Sequence, residues 1–190
     1  SAYKLMDEEA ASVPAGSEGL IYLPYLLGER SPRWNPSARG CFCGLTIRHT
    51  RAHMVRSVLE GVIMNLAIIL DAMREQGVEV SEMRVIGGGA NSELWCQIKA
   101  DVLGADYCKL QWADVGTLGC ALVAGAAVGI YTDLAAVAKR MATTTERIRP
   151  RPEYHAFYAP YVRAYGRLLR ELNPLFAELA ALPRELSEAK

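Results

Sequence analysis

This chain of 190 residues lacks the sequence features that are typical of several common classes of protein. Its formal net charge is zero, so it lacks the basic excess of a nucleic-acid-binding domain and the acidic excess of a disordered tail. Its five cysteines are scattered and odd in number, which disfavours a disulfide framework and favours a reducing compartment. We therefore expect a cytoplasmic protein with no nucleic-acid partner.

Long apolar runs are also missing. The longest, residues 118–131, is shorter than the roughly 20 residues that a membrane-spanning helix requires, and we interpret it as a buried helix. Residues 1–16 lack the basic segment and following apolar run of a signal peptide. We expect no membrane partner. Since 51% of the residues are hydrophobic, a substantial core is expected.

Several ligand-binding motifs are absent. Cys41 and Cys43 would share one face of a strand, but no second Cys or His pair follows at zinc spacing, so no metal site is predicted. His49 and His53 lack the His-Glu-x-x-His pattern and are interpreted as capping or surface residues. Neither a Walker A motif nor the Gly-x-Gly-x-x-Gly dinucleotide fingerprint is present.

The most informative segment that is present spans residues 83–92 and reads Met-Arg-Val-Ile-Gly-Gly-Gly-Ala-Asn-Ser. A short apolar strand enters three glycines, and a helix is expected to begin at Asn91 or Ser92. Glycines let a backbone approach a ligand closely, and a helix start offers free N–H groups and a positive dipole end. This pattern predicts a binding site for the phosphate of a nucleotide. The same local pattern also occurs where glycines serve only to pack a helix against a strand. This structural role is the alternative to phosphate binding.

Hydrophobic periodicity predicts an α/β fold. Helical spacing over residues 51–76 predicts a long helix that Thr50 caps and Gly77 stops. Residues 20–23 form a short apolar run. Strands are predicted at 41–45, 83–86 and 105–110, and helices at 92–103, 117–130 and directly after Asp133. Such alternation favours a parallel sheet covered by helices. Residues 1–18 show no clear pattern, and residues 154–182 predict a final helix bent near Pro174.

Two further stretches are interpreted structurally. The glycine-bearing turn at residues 114–121 is attributed to helix–sheet packing. A group of charged residues towards the end of the chain is predicted to form a solvated surface. Its members are Lys139, Arg140, Glu146, Arg147, Arg149 and Arg151.

Several motifs, in order, resemble the FGGY family of carbohydrate kinases, specifically its C-terminal domain. The family signature is Gly-x-aromatic-x-Gly-aliphatic, then a short spacer and a helix that ends in an acid; residues 40–45 and 53–60 match every constrained position. Residues 23–32, Leu-Pro-Tyr-Leu-Leu-Gly-Glu-Arg-Ser-Pro, look like the xylulose-kinase branch. The glycine turn, Trp95-x-Gln97 and the turn at 117–119 match as well. The resemblance extends from about residue 19 to about residue 131.

The resemblance implies an actin-like, RNase H-like α/β domain that lacks its first strands and carries a helical C-terminal tail. We predict a ragged entry segment over 1–18, the nucleotide-binding domain over 19–150 and the helical tail over 151–190. The family's catalytic Asp and phosphate hairpin are expected upstream, so no catalytic residue is assigned. Glu60, Asp101 and Asp114 are expected to be structural or domain-facing. We expect the isolated chain to be inactive and to expose apolar surface.

An adenosine site is also implied by the resemblance. Gly88, Gly89 and Ala90 are predicted to bind the nucleotide, with Ser92 and Glu93 near the base or ribose. Family members often place Asn or Ser near the adenine, so Glu93 is a departure. A side chain at Gly89 is expected to project into the space of the ligand. The implied cofactors are ATP and Mg²⁺, and no protein metal ligand is assigned.

The resulting hypothesis is the ATP-binding part of a sugar kinase that converts D-xylulose to D-xylulose 5-phosphate. Its expected partners are its own N-terminal kinase domain, ATP and the sugar, and a homodimer is kept as an alternative. Other substrates of the same family, such as gluconate, ribulose or fuculose, are alternatives because the sugar pocket lies elsewhere. A non-catalytic actin-like interaction module is an alternative of a different class.

Overall fold

A computed structural model of the chain describes residues 2–112 and 114–182. Its contacts form two compact units, one made of residues 1–78 together with residues from 156 onward, the other of residues 79–155. This division does not follow the limits predicted at residues 18 and 150, which stay a prediction. The helices and strands, in chain order, are α1 (Ala2–Ala11), β1 (Ile21–Pro24), β2 (Gly40–Cys43), α2 (Arg51–Glu75), β3 (Glu82–Val85), α3 (Glu93–Leu103), β4 (Asp106–Leu110), α4 (Val115–Ala127), α5 (Leu134–Met141), β5 (Thr144–Ile148) and α6 (Pro152–Ala181).

Helix α2 is the centre of the first unit, where it packs against α1 and β1. It begins where the sequence predicts, because Thr50 is its N-cap and His53 completes the capping box. The left-handed Gly77, at φ 80°, follows its end as predicted. Gly61 allows a close approach to β1, since a side chain there would collide with the carbonyl of Tyr22.

Helix α2 has the length and mean hydropathy of a membrane-spanning helix, although 44% of its apolar window is buried inside the structure. Its buried residues include Ile63, Met64 and Leu70, together with the charged Arg56 and Glu60. Buried charges that are paired with each other, as these two are, are typical of the interior of a globular unit. We therefore interpret α2 as a core helix.

The strands β1 and β2 form an antiparallel pair in the first unit, with Ile21 opposite Cys43 and Leu23 opposite Cys41. Strand β2 was predicted to within a few residues, and β1 coincides with the short apolar run at 20–23. The helix α1 lies in the stretch that showed no clear pattern, and only one of its residues, Ala10, is buried. The final helix α6 contains Pro160 and Pro174 in its interior.

The second unit is built on a three-stranded sheet in the order β3–β4–β5. Strand β3 runs parallel to β4, with Val85 opposite Lys109, and α3 connects the two strands. This confirms the predicted α/β alternation. The core packed against the sheet contains Val85, Cys96, Ala100 and Tyr107.

Strand β5 runs antiparallel to β4 and lies in the stretch predicted to be a solvated surface. Arg147 is exposed, as predicted, and it donates to Asp106 and to Glu82, both at 2.7 Å. These carboxylates belong to β4 and β3, so one guanidinium links all three strands. The charges of β5 have cross-strand partners, which the sequence alone does not reveal.

Candidate functional site

The three glycines form the connection between β3 and α3 in the second unit. Gly87 has φ 76° and ψ −173°, a backbone conformation that only glycine adopts without strain. A single 3₁₀ turn, Gly88–Ala90, follows it. Ser92 is then the N-cap of α3, because its hydroxyl accepts the N–H of Trp95 at 3.1 Å. The predicted strand–turn–helix unit is therefore confirmed.

The carbonyl groups of Gly87 and Gly88 point along the chain towards α3, because they accept bonds within the turn. The carbonyl of Gly87 accepts the N–H of Ala90 at 3.1 Å, and that of Gly88 accepts the N–H of Asn91 at 3.1 Å. In a trans peptide the N–H points opposite to the preceding carbonyl, so the N–H groups of Gly88 and Gly89 point the other way. Neither of these N–H groups has a hydrogen-bond acceptor among the described residues. Two adjacent free donors at a helix start suit an anionic ligand.

The inner side of the turn is held by two side chains of α3. Lys99 donates from Nζ to the carbonyl of Gly89 at 3.1 Å. The thiol of Cys96 lies 3.6 Å from the carbonyls of both Gly89 and Ala90. The ring of Trp95 covers the same ammonium, with Nζ 3.8 Å from its centroid. The glycine turn therefore packs on Trp95, Cys96 and Lys99 from the first two turns of α3, and we call these three side chains the floor of the glycine turn.

The two glycines of the turn face different surroundings. A Cβ at Gly88 would meet nothing within 4 Å, so this position borders open space. A Cβ at Gly89 would lie 2.8 Å from the ring of Trp95 and 3.3 Å from Nζ of Lys99. The expectation that a side chain at Gly89 enters the ligand space was therefore wrong. Gly89 is required for packing of the turn on α3, and Gly88 is the position that a ligand can approach.

A pocket of about 330 Å³ lies beside the turn, where β3 and β4 end. In parallel α/β sheets, ligands bind at the carboxyl ends of the strands, and this pocket has that position. Of the predicted site residues, Ala90 and Glu93 line the pocket, whereas Gly88, Gly89 and Ser92 lie in the turn and cap next to it. The other lining residues are Val85, Ile86, Gly87, Asn91, Lys109, Leu110, Gln111, Trp112 and Thr145.

The residues after β4 are the part of the pocket that the sequence reasoning missed. Trp112 is 42% exposed and offers an aromatic surface beside the turn. Lys109 forms an ion pair with Glu146 at 2.8 Å, and this bond raises the pKa of the lysine above its ordinary range. The signal that could have identified these residues is their position directly after a strand parallel to β3.

The three carboxylates that we expected to be structural all have structural partners. Glu60 accepts four hydrogen bonds in the first unit, from Gly16, Ser17, Arg56 and Tyr158.

Asp101 is fully buried and accepts the guanidinium of Arg151 at 2.6 Å and the amide of Gln97 at 2.9 Å. Arg151 is itself exposed, as predicted, although its guanidinium pairs with the buried Asp101. Asp114 caps α4 by accepting the N–H of Thr117 at 3.0 Å, and that bond lowers the pKa of its carboxyl group. Neither carboxylate is free to act on a ligand.

Comparisons with known proteins agree with this architecture. Residues 1–128 match the model of the FGGY family of carbohydrate kinases, C-terminal domain. A xylulose kinase of Staphylococcus epidermidis is 31% identical over 173 residues, which are 91% of this chain and 35% of that protein. A gluconokinase of Bacillus licheniformis is 33% identical over 189 residues, or 99% of this chain and 37% of that protein. The crystal structure of a ligand-bound xylulose kinase from Lactobacillus acidophilus has a TM-score of 0.83 at 30% identity, covering 92% of this chain and 35% of that one.

The chain belongs to the FGGY family of carbohydrate kinases and corresponds to the C-terminal domain of its members. The predicted actin-like α/β fold is confirmed by the same structural match. The chain spans about a third of the length of these relatives, 35% and 37% for the two sequences described.

Proposed function

We propose that this chain is the ATP-binding part of an ATP-dependent sugar kinase. The observation that carries the proposal is the glycine turn, with the free N–H groups of Gly88 and Gly89 and open space at Gly88. Its position at the carboxyl ends of β3 and β4 is the place where α/β sheets bind nucleotides. Membership of the FGGY family of kinases supports the assignment.

In this proposal the chain positions the nucleotide and does not act as acid or base. The free N–H groups and the positive end of α3 attract phosphate or ribose oxygens. Ile86, Leu110 and Trp112 give the neighbouring pocket an apolar wall on which a purine ring can lie. Glu93, exposed at the start of α3, is within reach of ribose hydroxyls or the base. Phosphoryl transfer depends chiefly on such positioning.

The proposal includes Mg²⁺, which neutralises charge on the phosphates in enzymes of this chemistry. Within residues 2–112 and 114–182, no group of three or more His, Cys, Asp or Glu side chains is arranged for a metal. We therefore assign no step of the reaction to a metal held by these residues. The general base and the sugar contacts are proposed to belong to an N-terminal domain, as in the longer relatives.

For the sugar we propose D-xylulose, which would be phosphorylated to D-xylulose 5-phosphate. The support is the motif over residues 23–32 together with the similarity to xylulose kinases. D-Gluconate is the second candidate, because a gluconokinase matches nearly the whole chain at a similar identity. We propose the cytoplasm as the compartment, consistent with five free cysteines.

The nucleotide proposal can be tested by calorimetry on the 190-residue chain. We expect ATP and ADP to bind, and we expect Gly88→Val to raise the Kd for ATP about tenfold or more, about 1.4 kcal/mol, by filling the space that the ligand needs. Gly119→Val is a matched control, because a Cβ at Gly119 also meets nothing within 4 Å but lies on α4. Equal affinity of Gly88→Val and Gly119→Val would contradict the proposed site.

The sugar proposal needs the chain joined to its proposed N-terminal domain. A coupled ADP-release assay should then give D-xylulose at least a tenfold higher kcat/KM than D-gluconate, D-ribulose, L-fuculose or glycerol, roughly 1.4 kcal/mol of transition-state discrimination. The chain alone should give no sugar-dependent turnover. A higher kcat/KM for D-gluconate would transfer the assignment to the second candidate.

A further inference from the structure

The lysine beneath the glycine turn is unusual for its burial. Lys99 is 5% exposed, although lysine is among the residues that are almost never fully buried unless paired. Its side chain runs from the second turn of α3 back towards the start of that helix. There its ammonium lies between the rings of Trp95 and Tyr107, 3.8 Å and 5.0 Å from their centroids.

The ammonium is also incompletely compensated. It donates one hydrogen bond, to the carbonyl of Gly89, and no carboxylate in the described part of the chain forms an ion pair with it. The two aromatic rings stabilise a cation but do not neutralise it. Burial of the charged form lowers the pKa of Lys99 below its ordinary value of 10.5. A buried charge without a counter-charge is costly for a folded chain, so the missing anion needs an explanation.

We propose that Lys99 is a positioning residue of the nucleotide site, which fixes the glycine turn from inside and supplies the positive charge that an anionic phosphate on the turn balances. This inference rests on the proposed function. The hydrogen bond to Gly89 orients the turn so that its free N–H groups point away from the floor. The ammonium lies 3.1 Å from the carbonyl oxygen of Gly89, the residue that also carries the second free N–H group.

The first role is tested without any nucleotide. We expect Lys99→Met, which retains the length and apolar character of the buried stem, to speed amide hydrogen exchange at Ala90 and Asn91 at least tenfold. Lys139→Met is the matched control, because Lys139 is an exposed lysine on α5 of the same unit. Unchanged exchange at Ala90 and Asn91 in Lys99→Met would overturn the claim that Lys99 fixes the turn.

The second role is tested by comparing a charged and an uncharged ligand. Calorimetry should show that Lys99→Met raises the Kd for ADP about tenfold but that for adenosine less than threefold, whereas Lys139→Met changes neither. Equal weakening of ADP and adenosine would overturn the role as a counter-charge, because only ADP carries phosphate. If the wild-type chain bound neither ligand, the proposed function itself would fail, and the exchange experiment would still decide whether Lys99 fixes the turn.

A measurement on the wild-type chain covers the case in which Lys99→Met does not fold. ADP binding should raise the pKa of Lys99 and cause proton uptake between the folded-state pKa of Lys99 and pH 10.5, measured by calorimetry in buffers of different ionisation enthalpy. The titratable groups facing the ammonium are Cys96 on α3 and Tyr107 on β4, whose pKa burial raises to about 12; Lys109 and Glu93 line the pocket. No proton uptake with ADP, or equal uptake with adenosine, would overturn the counter-charge role.

Discussion

Each of the two compact units contains a charged side chain that is removed from solvent. The groups that surround these two charges are very different. Glu60 in the first unit is 1% exposed and accepts four hydrogen bonds, including the guanidinium of Arg56 at 2.8 Å. Lys99 in the second unit is 5% exposed and has one hydrogen bond and two aromatic rings around it. Both residues lie on helices that pack against a sheet.

This difference indicates that Glu60 has a structural role and that Lys99 is a candidate for a functional role. The four donors around Glu60 satisfy both of its carboxylate oxygens, so the cluster is complete without any ligand. It holds the turn at Gly16 and Ser17 against α2 and α6. Among residues 2–112 and 114–182, the ammonium of Lys99 has no anionic partner and the free N–H groups of the turn have no acceptors. A single anionic ligand would satisfy both deficits.

The largest effect should come from breaking the complete cluster. Glu60→Leu leaves Arg56 buried without its partner, so we expect a loss of about 3–5 kcal/mol in the free energy of unfolding. Denaturant titration measures this loss. Glu171→Leu removes the same i,i+4 partner from an exposed Arg167–Glu171 pair on α6 and should have little effect. Comparable losses in the two variants would contradict the structural role of Glu60.

The next effect distinguishes the two sides of the glycine turn. Gly89→Val should cost about 1–3 kcal/mol of stability, because its side chain would overlap the ring of Trp95. Gly88→Val faces open space and should change stability by about 0.5 kcal/mol or less. Thermal or denaturant unfolding of both variants measures the difference. If Gly88→Val were the less stable of the two, the division into an inner and an open side would be wrong.

A smaller effect concerns the pH dependence of stability. The pKa of Lys99 is below 10.5 in the folded chain and 10.5 in the unfolded chain. At pH values between these two pKa values, the unfolded chain therefore holds a proton on Lys99 that the folded chain has released. Unfolding then takes up a proton, so the stability of the wild type should rise relative to Lys99→Met as the pH rises from the folded pKa towards 10.5. Denaturant titrations at successive pH values test this. A constant difference between the two proteins would show that Lys99 has no shifted pKa.

The smallest effect is expected at an exposed charge. Asp114 caps α4, and its hydrogen bond to the N–H of Thr117 lowers the pKa of its carboxyl group below 3.8. Its contribution is therefore complete above pH 3.8 and is lost as the pH falls through the folded pKa. Asp114→Asn retains the cap without the ionisation, so it should show a weaker loss of stability in acid. An identical acid dependence of both proteins would contradict this assignment.

The sequence predicted the parts of the fold that depend on local pattern. The start of α2 at Thr50 and its end before Gly77 follow from capping chemistry, and both are observed. Ser92 as the cap of α3 was within the predicted start of that helix. The α/β alternation gave the parallel pairing of β3 and β4. In each of these cases the determining residues are adjacent in sequence.

What the sequence did not predict depends on contacts between distant residues. Strand β5 was not predicted, because the partners of Arg147, Asp106 and Glu82, are 41 and 65 positions away in the sequence. The burial of Lys99 has no signature in a periodic pattern, since it needs Tyr107 from β4 to complete its surroundings. The collision of a side chain at Gly89 with Trp95 depends on the backbone angles of the turn and on the position of that ring. The candidate site was thus located by its motif, but its floor required the folded chain.

The positions of the tryptophans allow ligand binding at the candidate site to be followed by intrinsic fluorescence. Trp95 forms the floor of the glycine turn, and Trp112 lines the adjacent pocket, whereas Trp34 is 77% exposed on a loop of the first unit. Indole emission responds to the polarity and charge of its surroundings. Replacing Trp34 by Phe would leave two tryptophans, both at the candidate site, so selective excitation of tryptophan would follow occupancy of that site in real time without a label.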